Sequence, residues 1–191
     1  AAYDELGYFD DNFHLGLNWY RSLFPSKSVK NKIEFQHSKF LTYDVTPFYI
    51  YNPLVVDRIF NFSPNTKIIA ALRNPIDRAY SNFYNRIRDD GVQKSTFEEM
   101  ISSEIELIEN TKQDMSNNTF LVDTFYELDL ARGFYAKQLE LWFKKFPREN
   151  ILLISSEDLA TQTDTTMNQI FEFLDVPQQK INDLTKQNKI K

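Results

Sequence analysis

The sequence predicts an α/β fold, three-layered around a parallel sheet, and three observations carry that prediction. Short apolar runs that read as buried strands alternate along the chain with longer segments of helical period. The run Ile68–Leu72 stops at Arg73 and passes directly into the helix start Asn74-Pro75. The 191 residues are 42% hydrophobic and 15% aromatic, enough to enclose one sizeable core, so residues 1–191 are expected to form a single domain.

Taken in order, Leu15, Trp19 and Leu23 recur at four-residue intervals and predict a short amphipathic helix closed by Pro25. Residues 40–45 predict a strand ending at Thr46-Pro47, and residues 54–62 a helix opened by Pro53. Ser63-Pro64-Asn65 makes the turn into the second strand, residues 67–72. Asn74 is a preferred N-cap and Pro75 suits the first helical position. Asp77 adds a carboxylate to the first turn, where it favours the helix dipole. Residues 97–108 predict a helix capped by Ser95 or Thr96, and residues 112–119, polar and aperiodic, a loop. Phe134 or Tyr135, Leu139, Trp142 and Phe146 mark a long helix between Gly133 and Pro147. Ile151–Ser155 predicts a third strand and residues 167–174 a last helix, with no internal repeat and no linker.

The step from strand to helix at Arg73 is also where chemistry is expected. Between Lys67 and Arg88 lie five basic residues (Lys67, Arg73, Arg78, Arg86, Arg88) and one acid, Asp77, in a chain of net charge -5. A cation at the C-terminal end of a strand, beside a helix N-terminus, suits an anion, and a phosphate in particular. Singly, each residue has a plainer role: Asn74-Pro75-x-Asp77 as an ordinary helix start, Arg78 in a surface ion pair or solvated, Tyr80 and Phe83 in the core. Ser81, one turn into the helix, would by default bond its own backbone.

Composition excludes several classes. With no Cys, the chain forms no disulfide, thiolate nucleophile or Cys-ligated metal site, which fits a reducing compartment; a cytoplasmic location is expected. His14 and His37 lack ligand-like spacing, so no metal is expected. No apolar run reaches the ~18 residues of a membrane span, and the acidic start at Asp4-Glu5 does not read as a signal peptide. A pI of about 5.1 argues against nucleic acid as a partner. The Gly-x-x-x-x-Gly-Lys-[Ser/Thr] loop of a P-loop kinase is absent.

The run Leu72-Arg73-Asn74-Pro75-x-Asp77-Arg78-Ala79-Tyr80-Ser81 resembles the 3′-phosphate motif of sulfotransferases that use 3′-phosphoadenosine 5′-phosphosulfate (PAPS). The branch it resembles holds the heparan sulfate N- and O-sulfotransferases and their bacterial relatives. Further segments are similar to that branch: Glu5-Leu6-x-Tyr8-Phe9-Asp10, Gly16-x-x-Trp19-Tyr20 with Phe24-Pro25, and Asp44-x-Thr46-Pro47-x-Tyr49. So are Arg132-Gly133-x-Tyr135-x-x-Gln138-Leu139-x-x-Trp142, Phe146-Pro147-Arg148 and Ser156-Glu157-Asp158-Leu159.

The resemblance implies a P-loop-NTPase-like sulfotransferase fold and transfer of a sulfuryl group from PAPS to a hydroxyl or amine, a glycan among the acceptors. PAPS would be released as adenosine 3′,5′-bisphosphate, with no metal. It implies that Arg73 and Ser81 hold the 3′-phosphate and that Glu5 is the general base. Asp44, at a strand end, either takes part in function or caps the turn at Thr46-Pro47, and His14 is expected on the solvent side of its helix. The family's Lys-x-Gly-Thr loop and its C-terminal basic loop have no counterpart here, so the domain is expected to be incomplete at both ends, with an unpaired sheet edge that favours self-association. Asp4, Gly7 and Val45 stand where the family often carries Lys, His and Lys. A non-catalytic nucleotide-binding or interaction module derived from such an enzyme is the alternative these departures leave open.

Overall fold

The computed structural model describes residues 5–37, 39–91, 95–110 and 128–178. Their contacts sort into two units, one drawn from residues 1–66 and 74–148 and the other from 67–73 and 149–191.

In the first unit, α1 (Gly16–Ser22) fills the expected amphipathic segment before Pro25 and buries Tyr20. α2 (Lys27–His37) has no counterpart in the sequence expectations, because it carries no apolar stripe; its Phe35 is 93% exposed. Straight-chain residues and the Lys30–Glu34 pair at 3.6 Å, one turn apart, suit a solvated helix. α3 (Pro53–Phe62) opens with the Asn52 Oδ1 atom accepting the Leu54 N–H at 3.0 Å, and it buries Val55, Val56 and Ile59. α4 (Pro75–Asp90) opens as its sequence predicts: Asn74 Oδ1 accepts from the N–H groups of Ile76 and Asp77 at 2.9 and 3.4 Å. It closes on Gly91, whose φ of 68° few other residues adopt. α5 (Phe97–Asn110) settles its cap in favour of Thr96, which exchanges hydrogen bonds with Glu99 in a capping box of 2.8 and 3.2 Å. α6 (Tyr135–Lys145) lays Leu139 and Trp142 toward the core, with Phe146 following as its C-cap. It packs on α3 through the Phe60 and Phe146 rings, 5.4 Å apart, and through an ion pair of Lys145 with Asp57 at 2.7 Å. The Trp142 indole N–H donates to the Ile50 carbonyl at 3.0 Å, so its polar edge is satisfied on burial.

Residues 40–45 do not form the expected strand; they join no ladder among the described residues. Most of the segment faces away from any core. Leu41, Tyr43 and Val45 are exposed, while the acid between the last two, Asp44, turns inward to its own hydrogen bonds. A local carboxylate–hydroxyl cluster has won over β propensity.

The second unit holds the expected strands 67–72 and 151–155. β1 (Ile68–Leu72) pairs in parallel with β2 (Ile151–Ser155), in a register running from Ile68 opposite Ile151 to Leu72 opposite Ser155. β2 leads into α7 (Ser156–Thr161), capped by Ser155 Oγ accepting the Asp158 N–H at 3.1 Å, and then into α8 (Thr163–Leu174). The predicted loop at 112–119 lies outside the described residues.

What fixes α4 in the first unit is a buried acid. Asp129 is 0% exposed, and its carboxylate accepts from Asn82 Nδ2 at 2.6 Å and the Arg86 guanidinium at 2.5 Å, with Arg132 4.0 Å away. Arg78 donates to the Asp129 carbonyl. Residues 78, 82 and 86 recur every four positions, so one face of α4 grips one residue. From the other side, the buried Glu104 carboxylate of α5 accepts the N–H groups of Asp129 and Leu130 at 2.9 and 2.7 Å. The following turn approaches the start of α4 so closely that a Cβ on Gly133 would lie 2.9 Å from Pro75 Cβ. Asp129→Ala is therefore expected to lower the unfolding free energy by about 3 kcal/mol, the low end for a broken buried pair because Arg86 is itself half exposed. Gly133→Ala is expected to cost about 1–3 kcal/mol by pushing Pro75 aside. Urea titrations of the two variants beside the wild type measure both.

Candidate functional site

Glu5 is exposed, and the residues after it are bound tightly into the first unit. Leu6, Tyr8 and Phe9 are buried. Tyr8 stacks on Tyr20 with ring centroids 4.3 Å apart, and Phe9 meets Tyr20 and Tyr49 edge-on at 5.1 and 5.9 Å. Trp19 completes the cluster beside Tyr8 at 6.2 Å. The chain turns at Gly7, whose φ of 55° suits a residue without a Cβ; its carbonyl accepts the Asn12 N–H at 2.8 Å. Asn12 Nδ2 donates to the Leu6 carbonyl at 2.9 Å. Arg58 of α3 donates to the carbonyls of Phe9 and Asp10 at 2.7 and 3.1 Å, its guanidinium 4.2 Å above the Phe13 ring. His14 is exposed, its Nδ1 3.0 Å from the Asp11 carbonyl.

Asp44 is already engaged. Thr46 Oγ1 donates to its Oδ1 at 3.1 Å and the Tyr49 hydroxyl to its Oδ2 at 3.0 Å. The same two hydroxyl oxygens accept from the first loop: Thr46 Oγ1 from the Gly7 N–H at 3.2 Å, and the Tyr49 hydroxyl from the Phe9 N–H at 3.1 Å. Burial pushes the Asp44 carboxyl above the ordinary carboxylate range, opposed by hydrogen bonds from Tyr49, Thr46 and Tyr20. Burial also pushes the Tyr49 and Tyr20 phenols up, so both stay protonated at neutral pH. Asp44 thus organises its turn and the neighbouring loop.

In the basic segment, most of the charge is used internally. Arg86 goes to the Asp129 carboxylate and Arg78 to its carbonyl, which places Arg78 inside the fold rather than in a surface ion pair. Arg88 pairs with Asp89 at 3.1 Å, and Lys67 donates to the Phe173 carbonyl within the second unit. Arg73, exposed at the end of β1, has no hydrogen-bond or ion-pair partner among the described residues. Ser81 of α4 is half-buried, and its hydroxyl likewise bonds no described residue. That is not the default for a helical serine: Ser102 and Ser103 of α5 both donate to the carbonyl one turn back, at 2.8 and 2.9 Å. Arg73 belongs to the second unit, and Ser81 and Glu5 to the first. Phe83 is a core residue as expected. Tyr80 is half exposed, lying against Tyr84 and Phe97 at 4.6 and 5.1 Å.

Sequence reading did not single out Asp129, Glu104, Asn82 or Arg58. One signal was present: Arg78, Asn82 and Arg86 form a polar stripe at helical spacing beside Ala79 and Phe83, and a cationic stripe next to the core needs a buried acid. Among the described residues no cluster of three or more His, Asp or Glu is able to hold a metal ion, and no helix is long and apolar enough to cross a membrane.

Comparison with known proteins agrees with the fold. A mouse heparan sulfate glucosamine 3-O-sulfotransferase 3B1 is 29% identical over 87% of this chain and 37% of its own length. A mouse bifunctional heparan sulfate N-deacetylase/N-sulfotransferase 3 is 29% identical over 92% of this chain and 18% of its own. The membrane-associated sulfotransferase kil1 of Dictyostelium discoideum is 26% identical over 90% of this chain and 49% of its own. The chain thus spans about half or less of the length of these relatives. The crystal structure of a sulfotransferase from Alicyclobacillus acidocaldarius superposes with a TM-score of 0.54 at 29% identity, covering 71% of this chain and 50% of that one. The family model described as the sulfotransferase domain matches residues 13–191, and with the fold in agreement, this chain belongs to the sulfotransferase family.

Proposed function

We propose that the chain is part of a PAPS-dependent sulfotransferase acting on a hydroxyl or amine, with a glycan as the acceptor class. Arg73 and Ser81 hold the donor's 3′-phosphate, and Glu5 takes the acceptor's proton. One observation carries the nucleotide half of this reading. In a segment whose other cations each pair within the chain, the Arg73 side chain and the Ser81 hydroxyl have no partner among the described residues. A guanidinium fork and a hydroxyl are the donors a phosphate accepts from, each charge-assisted bond contributing roughly 1.5–3 kcal/mol. The glycan class is supported by the relatives whose names carry heparan sulfate.

PAPS, when bound, supplies an activated sulfuryl group and leaves as adenosine 3′,5′-bisphosphate. The chain's own part is to hold and to deprotonate. Arg73 and Ser81 fix the nucleotide end, and α4, clamped by Asp129, keeps Ser81 from wandering. Glu5, exposed beside a tightly bound turn, is free to accept a proton as the acceptor attacks.

In the full-length protein, adenosine 3′,5′-bisphosphate is expected to raise Tm more than AMP does, since only the former offers a 3′-phosphate; Arg73→Ala should erase that difference. Equal shifts from the two nucleotides in the wild type would remove the 3′-phosphate site. Glu5→Gln is expected to lower turnover by roughly 10²–10⁴, the usual contribution of general-base catalysis, with nucleotide affinity nearly unchanged. Steady-state kinetics beside calorimetric nucleotide binding separates the two effects. A variant within a few-fold of wild-type turnover would take Glu5 out of the mechanism.

A further inference from the structure

We propose that Asp44 is a positioning residue for the reaction: by accepting the hydroxyl protons of Thr46 and Tyr49, it turns the lone pairs of both oxygens toward the N–H groups of Gly7 and Phe9 and so fixes the backbone that carries Glu5. The inference rests on the reading of Glu5 as the general base.

The geometry is a pair of relays with one direction. A hydroxyl can donate or accept, and left to itself it samples both orientations. An ionised carboxylate only accepts, so Thr46 and Tyr49 must donate to Asp44, at 3.1 and 3.0 Å. Each oxygen is then left to accept from the loop, Thr46 from Gly7 at 3.2 Å and Tyr49 from Phe9 at 3.1 Å. The chains N–H to O–H to carboxylate run in parallel and polarise in the same sense. The other ties to this loop, from Asn12 and Arg58, hold carbonyls of Leu6, Gly7, Phe9 and Asp10; the relays hold the N–H groups two and four residues after Glu5. A neutral amide would not serve. An Asn at 44 offers N–H to one of the two hydroxyls, which then receives a proton where it should give one, and one relay loses its direction.

A role confined to stability would not need the acid. Besides Thr46 and Tyr49, the groups that bear on Asp44 are the Tyr20 phenol of α1 and the Asp10 carboxyl of the loop. Their net effect with burial is that the folded chain holds the Asp44 proton more tightly than the unfolded chain, whose value is 3.8. The sign follows from linkage: the stabilisation is fully present below the unfolded value and is lost as pH rises through the higher folded one. Wild type should therefore lose Tm relative to Asp44→Asn as pH rises from about 4 toward neutrality.

The full-length protein tests the proposal through Asp44→Asn, Glu5→Gln and the double variant. Asp44→Asn is expected to lower kcat roughly 10- to 100-fold, the effect of a misplaced catalytic group. Affinity for adenosine 3′,5′-bisphosphate should hold, amide hydrogen exchange of residues 5–12 should quicken, and Asp44→Glu should recover part of the loss. In the Glu5→Gln background the same change should do nothing further, because there is no base left to place. If Glu5→Gln alone leaves turnover intact, the base reading falls and takes this inference with it. If Glu5→Gln is slow but Asp44→Asn slows it again by its full factor, or leaves the exchange of residues 5–12 unchanged, Asp44 loses its positioning role and the base reading stands.

Discussion

The fold of the first unit depends on one carboxylate that never meets water. An isolated charge in that position would be prohibitively costly, and it persists because Asn82 and Arg86 of α4 bond it while Arg132 stands nearby. The Glu104 carboxylate then takes up the neighbouring backbone N–H groups. Gln138 of α6 donates to the carbonyls of Ala131 and Arg132 just downstream, so three helices converge on one short turn. α4 has few apolar anchors, chiefly Ala79 and Phe83. Its rotation about its own axis is therefore set as much by charge as by hydrophobic contact, and with it the direction in which Ser81 faces.

Two loops of this unit are organised by the same device in different form. At one, Asp129 gathers guanidinium and amide donors; at the other, Asp44 gathers hydroxyls. Neither acid is assigned a reacting atom. Each holds a backbone segment in place by being an acceptor with no alternative, which is what distinguishes a carboxylate from the amide of the same shape.

The sequence made the elements legible wherever the signal was local. Asn52-Pro53 and Asn74-Pro75 announce their helices because a cap and a fixed φ act within a few residues. The β-branched and apolar runs at 68–72 and 151–155 fill the ladder they predict. Residues 40–45 failed for an equally local reason, since Asp44 had closer partners in Thr46 and Tyr49 than any strand offered. α2 escaped because a helix held mainly by propensity shows no stripe. Of the candidate site, the motif from Leu72 to Ser81 was readable and the state of its charges was not. Arg86 and Asp129 lie 43 positions apart, and a count of Lys and Arg cannot separate a cation that is matched inside the fold from one that is open to a ligand.

That separation gives the basic segment two different responses to ionic strength. Mobile ions reach exposed charges and screen them over a Debye length of about 8 Å under physiological conditions, but they do not enter a site whose acceptor is wholly buried. The contacts of Arg86 with Asp129 are insulated in this way on the acid's side, whereas Arg73 stands in full view of the electrolyte. Added salt thus acts on the cation proposed for the ligand while leaving the helix after it where it is, so that the proposed grip on an anion and the integrity of the scaffold, though encoded within one short run of sequence, answer to separate controls.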